Sequence, residues 1–286
     1  MRILVFGETG QVARELVREA ETRGITLVTL SRDRADLAQP EACAAAVTAA
    51  EADAVINAAA YTAVDRAETE PALARTVNAD APAAMARSCA ARALPFLHVS
   101  SDYVFDGMPG RAWRENDLAA PLGAYGRSKL AGERAVAAAG GRHAILRTSW
   151  VFSAHGANFV KTMLRVGAER DSLRIVDDQI GGPTPARAIA GALLTMAETL
   201  AAGDGATGLF HFAGTPPVSW AEFAETIFAM RGGDSPRIER IPSSEYPLPA
   251  VRPFNSVLDC SRIRDVYGIE APDWRAGLAD VLEELA

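Results

Sequence analysis

The chain has 286 residues, 49% hydrophobic and 23% charged, which suits a soluble globular protein of one large or two modest domains. A net charge of −7 argues against a duplex nucleic-acid surface, while a local basic pocket for a small anion stays open. The opening MRILVFGETG is too short, and too soon broken by glycine, for a signal or membrane segment; the scattered Cys43, Cys89 and Cys260 read as reduced cytosolic thiols, with no metal site.

Residues 2–6 are an apolar run of the length of a buried parallel strand. Gly7-Glu8-Thr9-Gly10-Gln11-Val12-Ala13 follows, then a helical pattern with Val12, Leu16 and Val17 on one side. Strand, glycine turn and helix match G-x-x-G-x-x-A, a shortened dinucleotide fingerprint. Gly7 permits the tight turn, and Gly10 lets backbone N–H groups around Thr9, Gln11 and Val12 approach a pyrophosphate. Ala13 is small enough for close helix–strand packing, although such turns also occur without a nucleotide. A second strand, 26–30, ends at Ser31-Arg32, where an adenosine ribose would lie. An acid there would hold a 2′-hydroxyl, whereas a guanidinium suits a 2′-phosphate, so NADPH is expected, with NADH as the alternative. Asp36 and Leu37 would bracket the adenine, and Pro40 opens the next helix.

A third strand, 54–56, runs into Asn57-Ala58-Ala59-Ala60-Tyr61. Small residues at that strand end either let a ligand lie against backbone or simply pack closely. A helix over about 72–91 carries Asn78 as a cap or kink. The fourth strand, 95–99, holds His98 as a packed or paired group and leads into Ser100-Ser101-Asp102-Tyr103. Ser101 then stands at the ligand edge, within reach of a substrate carbonyl or of the Tyr125 phenol. Residues 107–123, with Gly107, Pro109, Gly110 and Pro121, read as loop. The helix that follows carries Tyr125 and Lys129, four residues apart and so on one face. A cation near a phenol favours the phenolate, which makes the pair a plausible acid–base device, though this spacing also arises by chance on solvated helices. Gly140-Gly141 ends the helix, and 144–146 is a further strand.

Strands alternating with helices predict an α/β fold: a Rossmann-type doubly wound parallel sheet over residues 1–147. Beyond it the rhythm loosens. Residues 148–286 are expected to form a smaller mixed substrate lobe, interleaved with added strands of the main sheet. Its predicted parts are helices at 158–165, 186–201, 220–230 and 275–285, and strands at 173–176 and 208–212.

The ordered set of glycine turn, small strand tip, serine after the fourth strand and Y-x-x-x-K resembles the extended short-chain dehydrogenase/reductase superfamily. FGETGQVA, VINAAAYTAVDRAE, SSDYVFDG, PLGAYGRSKLAGE, RTSWVF, NFVKTML, DDQIGGPT and RPFNSVLD together resemble the dTDP-4-dehydrorhamnose reductase family over nearly the whole chain. The resemblance implies hydride transfer from a reduced nicotinamide to C4 of dTDP-4-dehydro-L-rhamnose, giving dTDP-L-rhamnose. It implies Tyr125 as general acid, Lys129 as the group that lowers the phenol pKa and holds the nicotinamide ribose, and Ser101 orienting the carbonyl. Many relatives carry Thr at the Ser101 position. Asp102, Tyr103, Trp150, Asn158, Gln179 and Arg252 are the implied substrate contacts, Arg252 as a diphosphate partner; core packing and loop hydrogen bonding are the plain alternatives for Trp150 and the last three. Some members pair subunits through carboxylate-bound metal; Glu15 and Glu284 are candidates, but Arg187 stands where a further acid would be needed, so a monomer or weak homodimer is expected.

Two rivals share the fold. A nucleotide-sugar dehydratase wants Asp-Glu after the serine, and here Asp102-Tyr103 follows; an epimerase would retain its NAD. A non-catalytic regulatory subunit, like that of methionine adenosyltransferase, would tolerate loss of the serine, tyrosine and lysine, all three of which are present.

Overall fold

Apolar runs with alternating side chains can be buried on both faces only between two layers of helix, and the chain builds that sandwich first. In the computed structural model, which describes residues 1–108 and 110–286, the elements up to Ser101 are β1 (Arg2–Phe6), α1 (Gln11–Arg23), β2 (Thr26–Leu30), α2 (Pro40–Ala49), β3 (Ala54–Asn57), α3 (Val64–Ala67), α4 (Pro71–Arg75), α5 (Ala81–Ala91) and β4 (Phe96–Ser101). Pro109, part of the expected loop, lies outside the described residues. Then come α6 (Ala124–Ala138), β5 (His143–Thr148), β6 (Val151–Phe152), α7 (Phe159–Gly167), β7 (Ser172–Val176), β8 (Ile180–Gly181), β9 (Thr184–Pro185) and α8 (Ala186–Ala202). The chain closes with β10 (Gly208–His211), β11 (Val218–Ser219), α9 (Trp220–Arg231), β12 (Arg237–Ile241), β13 (Asn255–Ser256), α10 (Ser261–Tyr267) and α11 (Trp274–Glu284).

Six strands form the main sheet in the order β10-β5-β4-β3-β1-β2, with every pairing parallel. The order reverses at β1, between β2 and β3, so the C-terminal ends of β1 and β3 open a crevice there. The two faces alternate with the strand period. Ile3, Val5, Ile56, Leu97 and Leu146 pack with α1 and α8, while Leu4, Phe6, Val55, Phe96 and Ile145 pack with α2 and α5. Thus α8 and β10, although late in the chain, belong to this first layer system. A separate cluster of Phe152, Val160, Phe223, Trp274 and Leu278 holds the small strands and helices of the C-terminal part together.

One long helical stretch is interrupted. Between α4 and α5, residues Thr76–Asp80 make a π-turn. Pro82 in α5 has no N–H to give the Asn78 carbonyl four residues back, which accounts for the widened turn just before it. The freed carbonyl faces α6 at Gly132, where a Cβ would lie 2.1 Å from it. Gly126 meets the Tyr103 carbonyl in the same way, also at 2.1 Å. These two glycines let α6 press directly onto neighbouring backbone, and that contact fixes the height of Tyr125 and Lys129 above the sheet.

Gly132→Ala is expected to destabilise the fold by about 1–3 kcal/mol through forced separation of α6 from the π-turn, read as a lowered midpoint in urea or thermal denaturation.

Candidate active site

Gly7 takes φ 115°, and a Cβ there would press at 3.5 Å against Ala13, Ala58 and Ala59. Gly10 is the N-cap of α1, with no side chain capping the helix and nothing within 4 Å of a Cβ position. The first N–H groups of α1 thus face open space, as a dinucleotide pyrophosphate requires. Thr9 is exposed and Val12 buried beside them. The Gln11 side chain is turned to the C-terminal part: its Oε1 accepts from Asn158 Nδ2 at 2.9 Å and Ser153 Oγ at 3.1 Å. Beyond β2, Ser31 is half-buried and Arg32 exposed. Asp36 Oδ1 accepts from Ala38 N at 2.9 Å, and Leu37 sinks into the core with Phe6 and Leu30. Ala58, Ala59 and Ala60 line the end of β3, and Tyr61 is held by its hydroxyl on Glu70 at 2.6 Å and its N–H on Asn78 Oδ1 at 2.8 Å. Turn, small strand tip and exposed guanidinium fit a phosphorylated dinucleotide.

Ser101 ends β4 and α6 carries the other two members of the trio. Ser101 Oγ donates to Asp102 Oδ1 at 3.0 Å and accepts from Tyr103 N at 3.2 Å. Burial pushes the Tyr125 phenol up to about 12; the neighbouring Ser101 hydroxyl opposes this and the Asp102 carboxylate adds to it. Lys129 does not offset this rise; its ammonium is itself buried and donates to the Val99 carbonyl at 2.7 Å. Burial pulls Lys129 down to about 8, against the raising effect of Glu133. At neutral pH the phenol therefore stands protonated, which is the state a general acid needs. Tyr103 lies edge-on to Tyr125, ring centroids 5.4 Å apart.

The expected substrate residues are distributed unevenly. Asp102 is buried, and its Oδ2 has no hydrogen-bond partner among the described residues. Burial raises its carboxyl to about 6, with the Ser256 and Ser101 hydroxyls opposing. Arg252 donates to Asp65 Oδ2 and to the Ala250 carbonyl, both at 2.9 Å. Trp150 has φ 48°, uncommon for a bulky residue, and stacks on Trp220 with centroids 3.5 Å apart. Asn158 is the N-cap of α7: its oxygen accepts from Lys161 N at 3.1 Å, and its amide donates to Gln11 and to the Ser153 and His155 carbonyls. Gln179 donates to Ser243 Oγ at 2.8 Å. Asn158 thus has both polar atoms engaged within the protein, and Gln179 its amide nitrogen. Around Glu15 and Glu284 the partners are cationic: Arg18 meets Glu284 at 2.7 Å, and Arg187 meets Glu19 at 2.6 Å. Among the described residues no group of three His, Cys, Asp or Glu side chains is placed to hold a metal ion.

Several residues that build the site carried no signal in the sequence. Asn78, expected as a cap or kink, joins the β3 tip to α6: its Nδ2 donates to the Tyr61 carbonyl at 3.0 Å and to Ser128 Oγ at 2.9 Å. One turn beyond Lys129, Glu133 takes both prongs of the Arg147 guanidinium at 2.8 and 2.6 Å and accepts from Ser100 Oγ. Both ions are buried.

The chain matches, over residues 1–286, a family described as the RmlD substrate binding domain. It is 45% identical to a dTDP-4-dehydrorhamnose reductase of Burkholderia thailandensis, covering 100% of this chain and 99% of the relative. Among solved structures it is similar to a dTDP-4-dehydrorhamnose reductase from Clostridium acetobutylicum, with TM-score 0.92, 31% identity, and 100% and 99% of the two chains covered. A Bacillus anthracis dTDP-4-dehydrorhamnose reductase in complex with NADP aligns with TM-score 0.91 at 30% identity, covering 99% of each chain.

Glu133→Gln is expected to destabilise the protein by about 3–5 kcal/mol, because it leaves the Arg147 charge buried without a counter-ion; urea denaturation measures it.

Proposed function

The chain belongs to the dTDP-4-dehydrorhamnose reductase family, and from that premise we propose that it reduces the C4 ketone of dTDP-4-dehydro-L-rhamnose to dTDP-L-rhamnose, the last step of dTDP-rhamnose formation, with Ser101, Tyr125 and Lys129 as its catalytic group. The observation that carries the residue assignment is the protonated, half-buried Tyr125 phenol set beside Ser101 at the same sheet edge as the Gly7 turn.

The bound nicotinamide supplies hydride to C4. The chain supplies everything else. Gly7, Gly10 and the α1 N–H groups would hold the pyrophosphate, and Arg32 with Ser31 would receive the 2′-phosphate, which favours NADPH over NADH. Ser101 turns its hydroxyl proton from Asp102 to the ketone oxygen and orients it. As charge develops on that oxygen, Tyr125 donates its proton. Lys129 keeps a positive charge next to the phenolate that remains. Asp102, Tyr103 and Trp150 are assigned to the sugar side. Arg252 would reach a diphosphate by exchanging its Asp65 partner, a charge-assisted pairing of the same kind. Residues 148–286, apart from α8 and β10, are assigned as the substrate lobe. The enzyme is assigned to the cytoplasm, as a monomer or weak homodimer acting on a small nucleotide-sugar. In keeping with this, no helix among the described residues is long and apolar enough to cross a membrane, and Cys43, Cys89 and Cys260 are free.

The assay is NADPH oxidation with the keto sugar generated in place by a dTDP-glucose dehydratase and a 3,5-epimerase. Tyr125→Phe is expected to lower kcat by about 10²–10⁴-fold while NADPH still binds; unchanged turnover removes Tyr125 as the acid. Arg32→Ala is expected to raise KM for NADPH about tenfold and leave that for NADH unaltered. In the parent enzyme kcat/KM is expected to fall on the alkaline side of about pH 8, as Lys129 loses its proton while Tyr125 still holds its own.

A further inference from the structure

His98 sits in the middle of β4, fully buried, with a polar group at each ring nitrogen. Its Nδ1 lies 3.2 Å from Asn57 Nδ2, and its Nε2 lies 3.5 Å from Lys129 Nζ. The orientation of the Asn57 amide is set from outside the pair, because Asn57 Oδ1 accepts the backbone N–H of Ala59 at 3.2 Å. A backbone N–H only donates, so the oxygen of Asn57 must face Ala59 and its NH₂ must face His98. An NH₂ also only donates. Nδ1 is therefore the acceptor, and the ring proton belongs on Nε2. That N–H points at Lys129.

An N–H aimed at an ammonium sets two positive ends against each other. The same N–H aimed at a neutral amine donates a hydrogen bond to its lone pair. We propose that His98, locked by Asn57 in its Nε2–H form, is a positioning residue that adds to the effect of burial in biasing Lys129 toward the neutral amine, and so lowers the pH at which the site loses its cation. The inference rests on the reading of Lys129 as a member of the catalytic group.

Burial already lowers Lys129, and the other polar groups around it add nothing to that bias. On its own helix, Tyr125 is neutral and Glu133 favours the ammonium. The charge of Glu133 is in turn engaged by Arg147 of β5. From β4 the Val99 carbonyl accepts from Nζ in either state. His98 cannot relieve the clash by taking up a proton, since burial first, and the Lys129 charge second, hold it well below the ordinary histidine range.

Two measurements on the full-length enzyme test this. With ¹⁵N-labelled histidine, the non-titrating buried ring is expected to show a protonated Nε2 and a bare Nδ1; its signal is assigned by its loss in His98→Phe or its change in Asn57→Asp. The opposite tautomer overturns the proposal. In the NADPH-oxidation assay, the alkaline limb of kcat/KM in His98→Phe is expected to move up by about one pH unit, since the opposing N–H is gone. A merely structural role would lower activity without moving the limb, and a fixed limb in an active variant also overturns the proposal. Should His98→Phe fail to fold, the ¹⁵N tautomer still decides. A parent enzyme that oxidises no NADPH defeats the reductase reading itself, an outcome distinct from either of these.

Discussion

Glu133 and Arg147 meet where water does not reach, and much of the site follows from that pairing. Removing two ions from water costs several kcal/mol each, and their attraction offsets this only when the geometry is good and the remaining lone pairs are satisfied. Here the contact is two-pronged and the Ser100 hydroxyl takes a further lone pair. Such a pair adds little net stability over an apolar substitute, but it strongly penalises any register in which the partners separate. Since Glu133 is on α6, Arg147 on β5 and Ser100 on β4, the pair fixes one rotation and one height for α6 over two strands. Tyr125 and Lys129 inherit that setting.

The first layer system was legible because its signals are local. A glycine turn after an apolar run and apolar alternation in 2–6 are each decided within a few residues, as is the serine that caps α9 in the C-terminal part. Six parallel strands follow from that rhythm, with β10 added at the edge. The site residues read from motifs also gather where the motif order puts them, at the C-terminal edge of the sheet. The partners of Asn78, His98 and Glu133 were not legible for a complementary reason, although His98 was read as packed or paired. Their partners lie 50, 31 and 14 residues away, and polar side chains on a helix or strand look like solvated or packed ones until the partner is known. Asn158 and Gln179 each sit within a family motif, and their amide nitrogens make the loop hydrogen bonds that the sequence left open as the plain alternative. Burial of the Tyr125 phenol, which raises its pKa, was likewise not legible from helical spacing, which speaks only to the lysine on the same face.

The carboxylates at the substrate edge differ in state. Asp102 is deep, with one oxygen unclaimed, and burial raises its carboxyl; Asp65 is more exposed and takes Arg252. Asp102 keeps one buried oxygen without a hydrogen-bond partner among the described residues while Asp65 is held in an ion pair, so the two carboxylates differ in what a new partner would have to displace.

Backbone contact at Gly126 and Gly132 divides α6 into a face that cannot change and one that can. The permissive face carries Arg127 and Arg134, both exposed and seven residues apart, two helical turns along the same side. Charge, length and polarity can change along that outer stripe, while a Cβ at Gly126 or Gly132 would meet a backbone carbonyl at 2.1 Å. The outer stripe is where this helix can acquire a tag, a crosslink or a surface charge without disturbing the phenol on its other side.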